Sequence, residues 1–277
     1  MEHKKLIFLD IDGTFTPPGT NIPPQSAVQA VQNARRNGHR VFLCTGRNPA
    51  MTAPLCRYGF DGAVNCAGGY VTCGGNVIYD RPMTNAELAD VRDAMMTGSG
   101  VFCIMEAKDA SFGDQRVDNL LKKIPGPLGS ELARWRRALE EDHGVIAMSD
   151  YDGRPVYKVS FMCLRKRQLR RAQKLLQDRF EFCLQNFVLG IVNGELINRA
   201  FSKGDGLKRI CACLGVDTAD TIAFGDSLND LSLLEAAGTG VCMGNGNKAL
   251  KKHADIVCGN VTEDGLARAF AELGLTT

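Results

Sequence analysis

A chain of 277 residues has room for one large domain or two modest ones. With 33 basic and 31 acidic side chains the formal net charge is only +2, which gives no ground for a nucleic-acid or membrane partner. The mix of 44% hydrophobic and 23% charged residues excludes a disordered or fibrous chain and suits an ordinary globular protein.

Lys5–Leu9 is a short apolar run ending at Asp10, the pattern of a buried parallel strand, and a proline-rich loop follows through Pro24. At four residues, Leu6–Leu9 is too short for the apolar centre of a secretory signal, which needs roughly 7–15. No run approaches the ~18 apolar residues of a membrane span, so the chain is read as cytoplasmic. A helix is predicted over Gln25–Asn37, with Ala27, Val28, Val31 and Ala34 on one face and Gly38 at its end. Arg40–Cys44 reads as a second strand, Ala50–Tyr58 as a helix and Gly62–Cys66 as a third strand. Tyr70–Cys73 and Val77–Tyr79 flank Gly74-Gly75-Asn76, a hairpin signal.

From about Arg81 to Gly190 the texture changes. Helical stretches near Asn85–Met96 and Lys166–Phe180 are separated by polar loops and β-like pieces such as Val156–Met162. Regular alternation returns after Lys203. It gives helix Gly204–Leu214, strand Thr221–Phe224, helix Leu228–Ala237 and strand Gly240–Met243, then helix Lys248–His253, strand Asp255–Cys258 and helix Asp264–Leu273. Alternation at both ends predicts an α/β fold: one doubly wound, parallel, Rossmann-like sheet built from residues 1–81 and 191–277. An α+β domain over 82–190 is inserted into it.

Four polar sites fall at the carboxyl ends of predicted strands or at helix starts, the edge where open α/β sheets bind ligands. They are Asp10-x-Asp12-Gly13-Thr14, Thr45-Gly46-Arg47, Lys203, and Gly225-Asp226-Ser227-Leu228-Asn229-Asp230. Asp10, Asp12 and Asp226, crowded near one point, would each resist ionising. A hard divalent cation removes that difficulty, and Mg²⁺ takes one or two carboxylates plus waters and phosphate oxygens. Such a cation also lets an anionic carboxylate approach an anionic phosphate. Asp10 can then act as a nucleophile, forming an aspartyl-phosphate, with Asp12 first giving a proton to the leaving alcohol and later taking one from water. Gly13 lets backbone N–H groups approach phosphate, Thr45 offers a hydroxyl and Lys203 a point charge. Gly46 and Asn229 join this phosphate-binding set. Asp230, with Asn229, is placed to position Lys203, and Arg47 reaches either substrate or solvent.

These residues resemble the four motifs of the haloacid-dehalogenase superfamily, in the same order: DIDGT, CTGR, the lysine, and GDSLND. The insertion between the second and third motifs is similar in size to that family's large α/β cap, and the GDSLND ending with Asn245-Gly246-Asn247-Lys248-Ala249 looks like the Cof-type hydrolases, many of which dephosphorylate sugar phosphates. The resemblance implies a Mg²⁺-dependent phosphatase acting on a small phosphorylated metabolite. In it Asp10 is the nucleophile, Asp12 is the acid/base that also gives a backbone carbonyl to the metal, Thr45 and Lys203 bind phosphate, and Asp226 binds Mg²⁺. Phe15-Thr16-Pro17-Pro18 departs from the usual leucine-rich continuation and bears on the shape of the loop. Two rivals stay open: a phosphomutase with the same core, and a phosphate-binding regulatory protein without turnover.

Other features read as structure. The eleven cysteines contain no CxxC and suit free thiols, Cys211 and Cys213 included. Gly244-Asn245-Gly246 imitates a dinucleotide fingerprint, but too few residues follow for the second half of such a fold, and a tight turn is the better account. Arg165–Arg171 is a basic helix surface whose apolar face is Leu169, Ala172, Leu175 and Leu176. His39, His143 and His253 lack partners at metal-ligand spacing, while Trp135 and Met95-Met96 suit a core. The oligomeric state is left open.

Overall fold

The computed structural model describes residues 4–114, 145–184 and 191–276; Trp135 and His143 lie outside them. It divides into two compact units, Met1–Asp80 with Phe201–Thr277, and Arg81–Ala200. In chain order the strands are β1 (Leu6–Leu9), β2 (Arg40–Cys44), β3 (Gly62–Asn65), β4 (Tyr70–Cys73), β5 (Asn76–Asp80), β6 (Phe102–Ala107) and β7 (Ser111–Gly113). They continue as β8 (Ile146–Ala147), β9 (Val156–Cys163), β10 (Phe180–Leu184), β11 (Val192–Asn198), β12 (Thr221–Gly225), β13 (Thr239–Cys242) and β14 (Ile256–Val257).

The first unit holds an eight-stranded sheet in the order β14-β13-β12-β1-β2-β3-β4-β5. From β14 to β3 every pairing is parallel, and β1 lies between β12 and β2 with Leu6 opposite both Thr221 and Arg40. The strands β4 and β5 add an antiparallel hairpin, turned by Gly74 and Gly75 at φ +57° and +84°, as the sequence signal predicts. Both faces of the sheet are covered. Ile7 and Leu9 pack with Val31 of the helix Gln25–Arg36 and Phe270 of the helix Gly265–Glu272. Leu6 and Phe8 pack on the other side with Leu207 and Ile210 of the helix Lys203–Leu214 and Leu233 of the helix Leu231–Ala236. Alternate residues of one four-residue strand thus feed two cores, which is why the run is apolar throughout.

Several predicted helices are shorter than their patterns. The run Ala50–Tyr58 is an α-helix only over Pro49–Thr52 and continues as a 3₁₀ turn, because Pro54 has no N–H to donate. The helix predicted at Lys248–His253 is reduced to the 3₁₀ turn Leu250–Lys252, with the Asn247 side chain accepting the Ala249 N–H ahead of it. The stretch Lys166–Phe180 is a 3₁₀ turn, a helix over Arg170–Leu176, and then the start of β10. In that helix Leu169, Ala172 and Leu176 are buried, but Leu175, expected among them, is half exposed.

The second unit carries a six-stranded sheet, β10-β11-β9-β6-β7-β8. Strand β11 pairs antiparallel with β9 and β10, so residues 191–200 belong to this unit and not to the first, where the sequence reading began the returning core segment at 191. Its short alternating pattern suits either sheet, and its partners decide. One sheet face packs on Val91, Met95, Leu169 and Leu176. The other carries a buried ionic group: the Lys158 ammonium contacts Glu195 and lies 3.4 Å from Glu106, which accepts the Ser160 hydroxyl.

The helix Asn85–Val91 begins with a capping box between Thr84 and Glu87. Burial would raise the Glu87 carboxyl, but Arg81, the Thr84 N–H and Asn198 outweigh it and hold it down to about 2. A depressed carboxyl stabilises the fold above its unfolded pKa and loses that contribution as pH falls through the folded value. Glu87→Gln is therefore expected to lower stability by about 1–2 kcal/mol at pH 7, with the gap to the parent closing between pH 4.5 and 2 in urea melts. Gly204 gives a second test. A Cβ there would collide with the Ser232 carbonyl of the neighbouring helix, so Gly204→Ala should cost about 1–3 kcal/mol in the same measurement.

Candidate active site

All four motifs lie in the first unit, and the parallel strands bring them to one end of its sheet. Asp10 follows β1 and is fixed there by its N–H, which donates to Phe224 on β12 at 3.0 Å. The loop after it folds on itself: Phe15 N–H donates to Asp10, Thr16 N–H to Ile11 and Gly13 N–H to Thr16. Phe15 is fully buried edge-on against Phe60 and Tyr58, so the unusual Phe-Thr-Pro-Pro sequence anchors the loop in the core. The Gly13 N–H is committed to Thr16, and glycine has a further structural reason at this position. It sits at φ +90°, and a Cβ there would strike the Asp226 carboxylate, so glycine makes room for that acid.

Lys203 is the first residue of its helix, after Ser202, whose hydroxyl accepts the Asp205 N–H as an N-cap. Although a cation opposes the helix dipole there, its ammonium is buried among acids. It donates to Asp10 Oδ1 at 2.7 Å and to Asp230, and lies 3.5 Å from Asn229 Oδ1. Asp230 is itself clamped, its second oxygen accepting the N–H groups of Asp226 and Ser227 at 3.0 Å each. Carboxylate oxygens of Asp10, Asp226 and Asp230 lie within 4.8 Å of one another, a set able to hold a metal ion.

The electrostatics follow from this crowding. Burial and Asp230 raise the Asp10 carboxyl to about 7, with Lys203 pulling the other way. Burial, Asp10 and Asp230 push Asp226 up to about 9. Burial also works against the charge on Lys203, yet Asp10 and Asp230 hold its ammonium well above the ordinary value. Asp226 Oδ1 and the Thr14 hydroxyl are buried with no hydrogen-bond partner among the described residues. Hard oxygen donors, an orphaned carboxylate oxygen and raised acids together fit a divalent cation, whose charge would reverse those shifts.

The Asp12 side chain stands apart from the crowding with Asp10 and Asp226 expected of it, while the metal role implied for Asp12 is that of its backbone carbonyl. Its carboxylate is held by the nearly buried Arg47 in a two-pronged pair of 2.9 and 2.7 Å, and Asp230 stands in the acidic cluster instead. The sequence pattern could not reveal this, because it gives spacing and not side-chain direction. Arg47 also donates to Asn21. Thr45 is buried after β2, and its hydroxyl accepts the Arg47 N–H at 3.1 Å, which leaves its own proton to donate; Gly46 lies between the two. Two residues outside the motifs also belong here. Asn65 holds the Arg47 carbonyl from β3, and Asn245 donates to the Gly13 carbonyl from the loop after β13. That loop is the tight turn expected at Gly244-Asn245-Gly246.

A sequence profile of the haloacid dehalogenase-like hydrolases matches residues 7–270. Bacillus subtilis YkrA is 32% identical over 274 residues, 98% of either chain. The pyridoxal phosphate phosphatase YbhA of Escherichia coli is 25% identical, covering 95% of this chain and 96% of its own. Among solved structures, one from Geobacillus kaustophilus aligns at a TM-score of 0.80 and 25% identity over 99% of this chain and all of that one. The subclass IIB sugar phosphatase BT4131 aligns at 0.76 and 23% identity over 98% and 100%, a likeness of fold alone. The chain therefore belongs to the haloacid dehalogenase-like hydrolases, as a Cof-type phosphatase of that superfamily.

Proposed function

We propose that the protein hydrolyses small phosphomonoesters, sugar phosphates or related metabolites, with Asp10 as nucleophile and Mg²⁺ as cofactor. The observation that carries this reading is the buried Lys203 ammonium bonded to Asp10 beside the orphaned oxygen of Asp226. Lys203 occupies one oxygen of Asp10 and leaves the other to attack phosphorus. As the Asp10–phosphorus bond forms, the ester P–O bond breaks and the leaving oxygen takes a proton from Asp12. Water then attacks the aspartyl-phosphate, Asp12 accepts its proton, and phosphate departs with Asp10 restored. The Asp12 side chain is 22% exposed and paired with Arg47, and from there it would turn to meet the leaving oxygen. The Thr45 and Thr14 hydroxyls and the Lys203 ammonium bind the phosphoryl oxygens, with Gly46 and Asn229 beside them. Mg²⁺ would be held by Asp10 and Asp226, with Asp12 through its backbone carbonyl, and would supply positive charge against the phosphate oxygens. Asp230 keeps Lys203 and the Asp226 loop in place. We assign residues of the second unit the part of a specificity domain, and the protein to the cytoplasm, where phosphorylated metabolites occur.

No helix among the described residues is long and apolar enough to cross a membrane. Replacing Asp10 with Asn should lower Mg²⁺-dependent phosphate release by about a thousandfold or more while the circular-dichroism spectrum stays that of the parent. Undiminished release by that variant would remove Asp10 from the mechanism, and transfer of phosphate to a sugar in place of release would identify a mutase. Metal binding has its own readout. Mg²⁺ added without substrate should raise the melting temperature of the parent, and Asp226→Ala should abolish that rise.

A further inference from the structure

Asn245 lies outside the four motifs, yet its side-chain amide joins three segments. Nδ2 donates to the Gly13 carbonyl at 2.8 Å, and Oδ1 accepts the Val261 N–H at 2.9 Å. Two residues on, the Asn247 N–H donates to the Asp226 carbonyl at 2.7 Å. Residues 244–247 thus grip the backbone of both acidic loops, the one after β1 and the one after β12. The grip is itself braced: Gly244 N–H donates to Gly259, Gly246 N–H to Met243, and the Lys251 ammonium to the Gly244 carbonyl.

The peptide at Gly13 needs such a hold more than its neighbours do. Glycine at φ +90° has little steric resistance to rotation, and it faces the carboxylate of Asp226. Turning that peptide changes the gap between the two acidic loops. An asparagine amide of this size offers a donor at one end and an acceptor at the other, matching a carbonyl on one side and an N–H on the other. An aspartate would keep the Val261 bond but turn a second acceptor against the Gly13 carbonyl.

We propose that Asn245 is a positioning residue: its amide fixes the Gly13 peptide and, with the Asn247 N–H, sets the gap between the Asp10 and Asp226 loops. This rests on the hydrolase reading above. The test compares Asn245→Ala and Asn245→Asp with the parent, using p-nitrophenyl phosphate and Mg²⁺. Both variants are expected to lose roughly ten- to a hundredfold in kcat, with KM for the ester changed by less than about threefold. Both should also show a smaller Mg²⁺-induced rise in melting temperature without substrate. Because Asn245→Asp keeps the Val261 bond, it should melt near the parent and still be no better a catalyst than Asn245→Ala. Parental turnover in Asn245→Asp, or losses of kcat that follow the melting temperature alone, would overturn the proposal. A parent protein that releases no phosphate would instead remove the hydrolase reading, so the two failures are distinct.

Discussion

One ammonium group organises this fold. Lys203 is withdrawn from water among carboxylates that are themselves nearly buried, and each bond it makes lowers a cost that none of the partners could bear alone. Asp10 comes from the first strand, Lys203 from a helix start most of the chain away, and Asp230 from the turn beyond β12. For the three to meet, the strands must lie parallel and in register, and backbone must come closer to side chains than a Cβ allows. Gly13 makes room beside Asp226, and Gly204 lets the helix that begins at Lys203 settle against the helix that follows Asp230. Charge neutralisation is incomplete, and the acids left with raised affinity for protons are those that a divalent cation would satisfy.

The second unit solves a related problem by other means. Its sheet buries Lys158 between Glu106 and Glu195, with Ser160 on Glu106, on the face opposite its apolar core. Like the first unit it joins a buried lysine to two acids, but here they stand on three adjacent strands and not in loops. Rigid strands hold charges at fixed spacing, whereas loops hold them where a peptide turn can alter the spacing. In the first unit the amides of Asn65 and Asn245 hold loop backbone beside the acids, whereas in the second the strand ladder itself carries the charged groups.

Much of the first unit could be read from the chain. Apolar runs of four or five residues, each ending at a polar group, marked β1, β2 and β12, and their order placed Asp10, Thr45 and Asp226 at one edge. The pairing of β11 could not be read, because an alternating strand does not declare which sheet it joins. Helix length was overestimated where a proline intervened locally, as at Pro54. At the site, residue types were legible and directions were not: Asp12 and Asp230 each have the composition of a metal ligand, and only packing sends one toward Arg47 and the other toward Lys203. Asn245 was visible in a glycine-rich run that resembles a nucleotide-binding turn, and its bond to Gly13 spans most of the sequence.

The splitting of the first unit by the second has a consequence for how the molecule comes into being. Synthesis proceeds from the amino terminus, so β1 emerges with only β2 available as a neighbour, and its other hydrogen-bonding edge stays bare until Thr221–Gly225 leaves the ribosome. During that interval an apolar ribbon with an open edge is a template for wrong partners, and closing so long a loop is slow. The intervening segment can meanwhile complete its own sheet, shortening the span that the ends must search. A nascent chain halted before the last third would hold Asp10 without its ammonium, inert and adhesive at once.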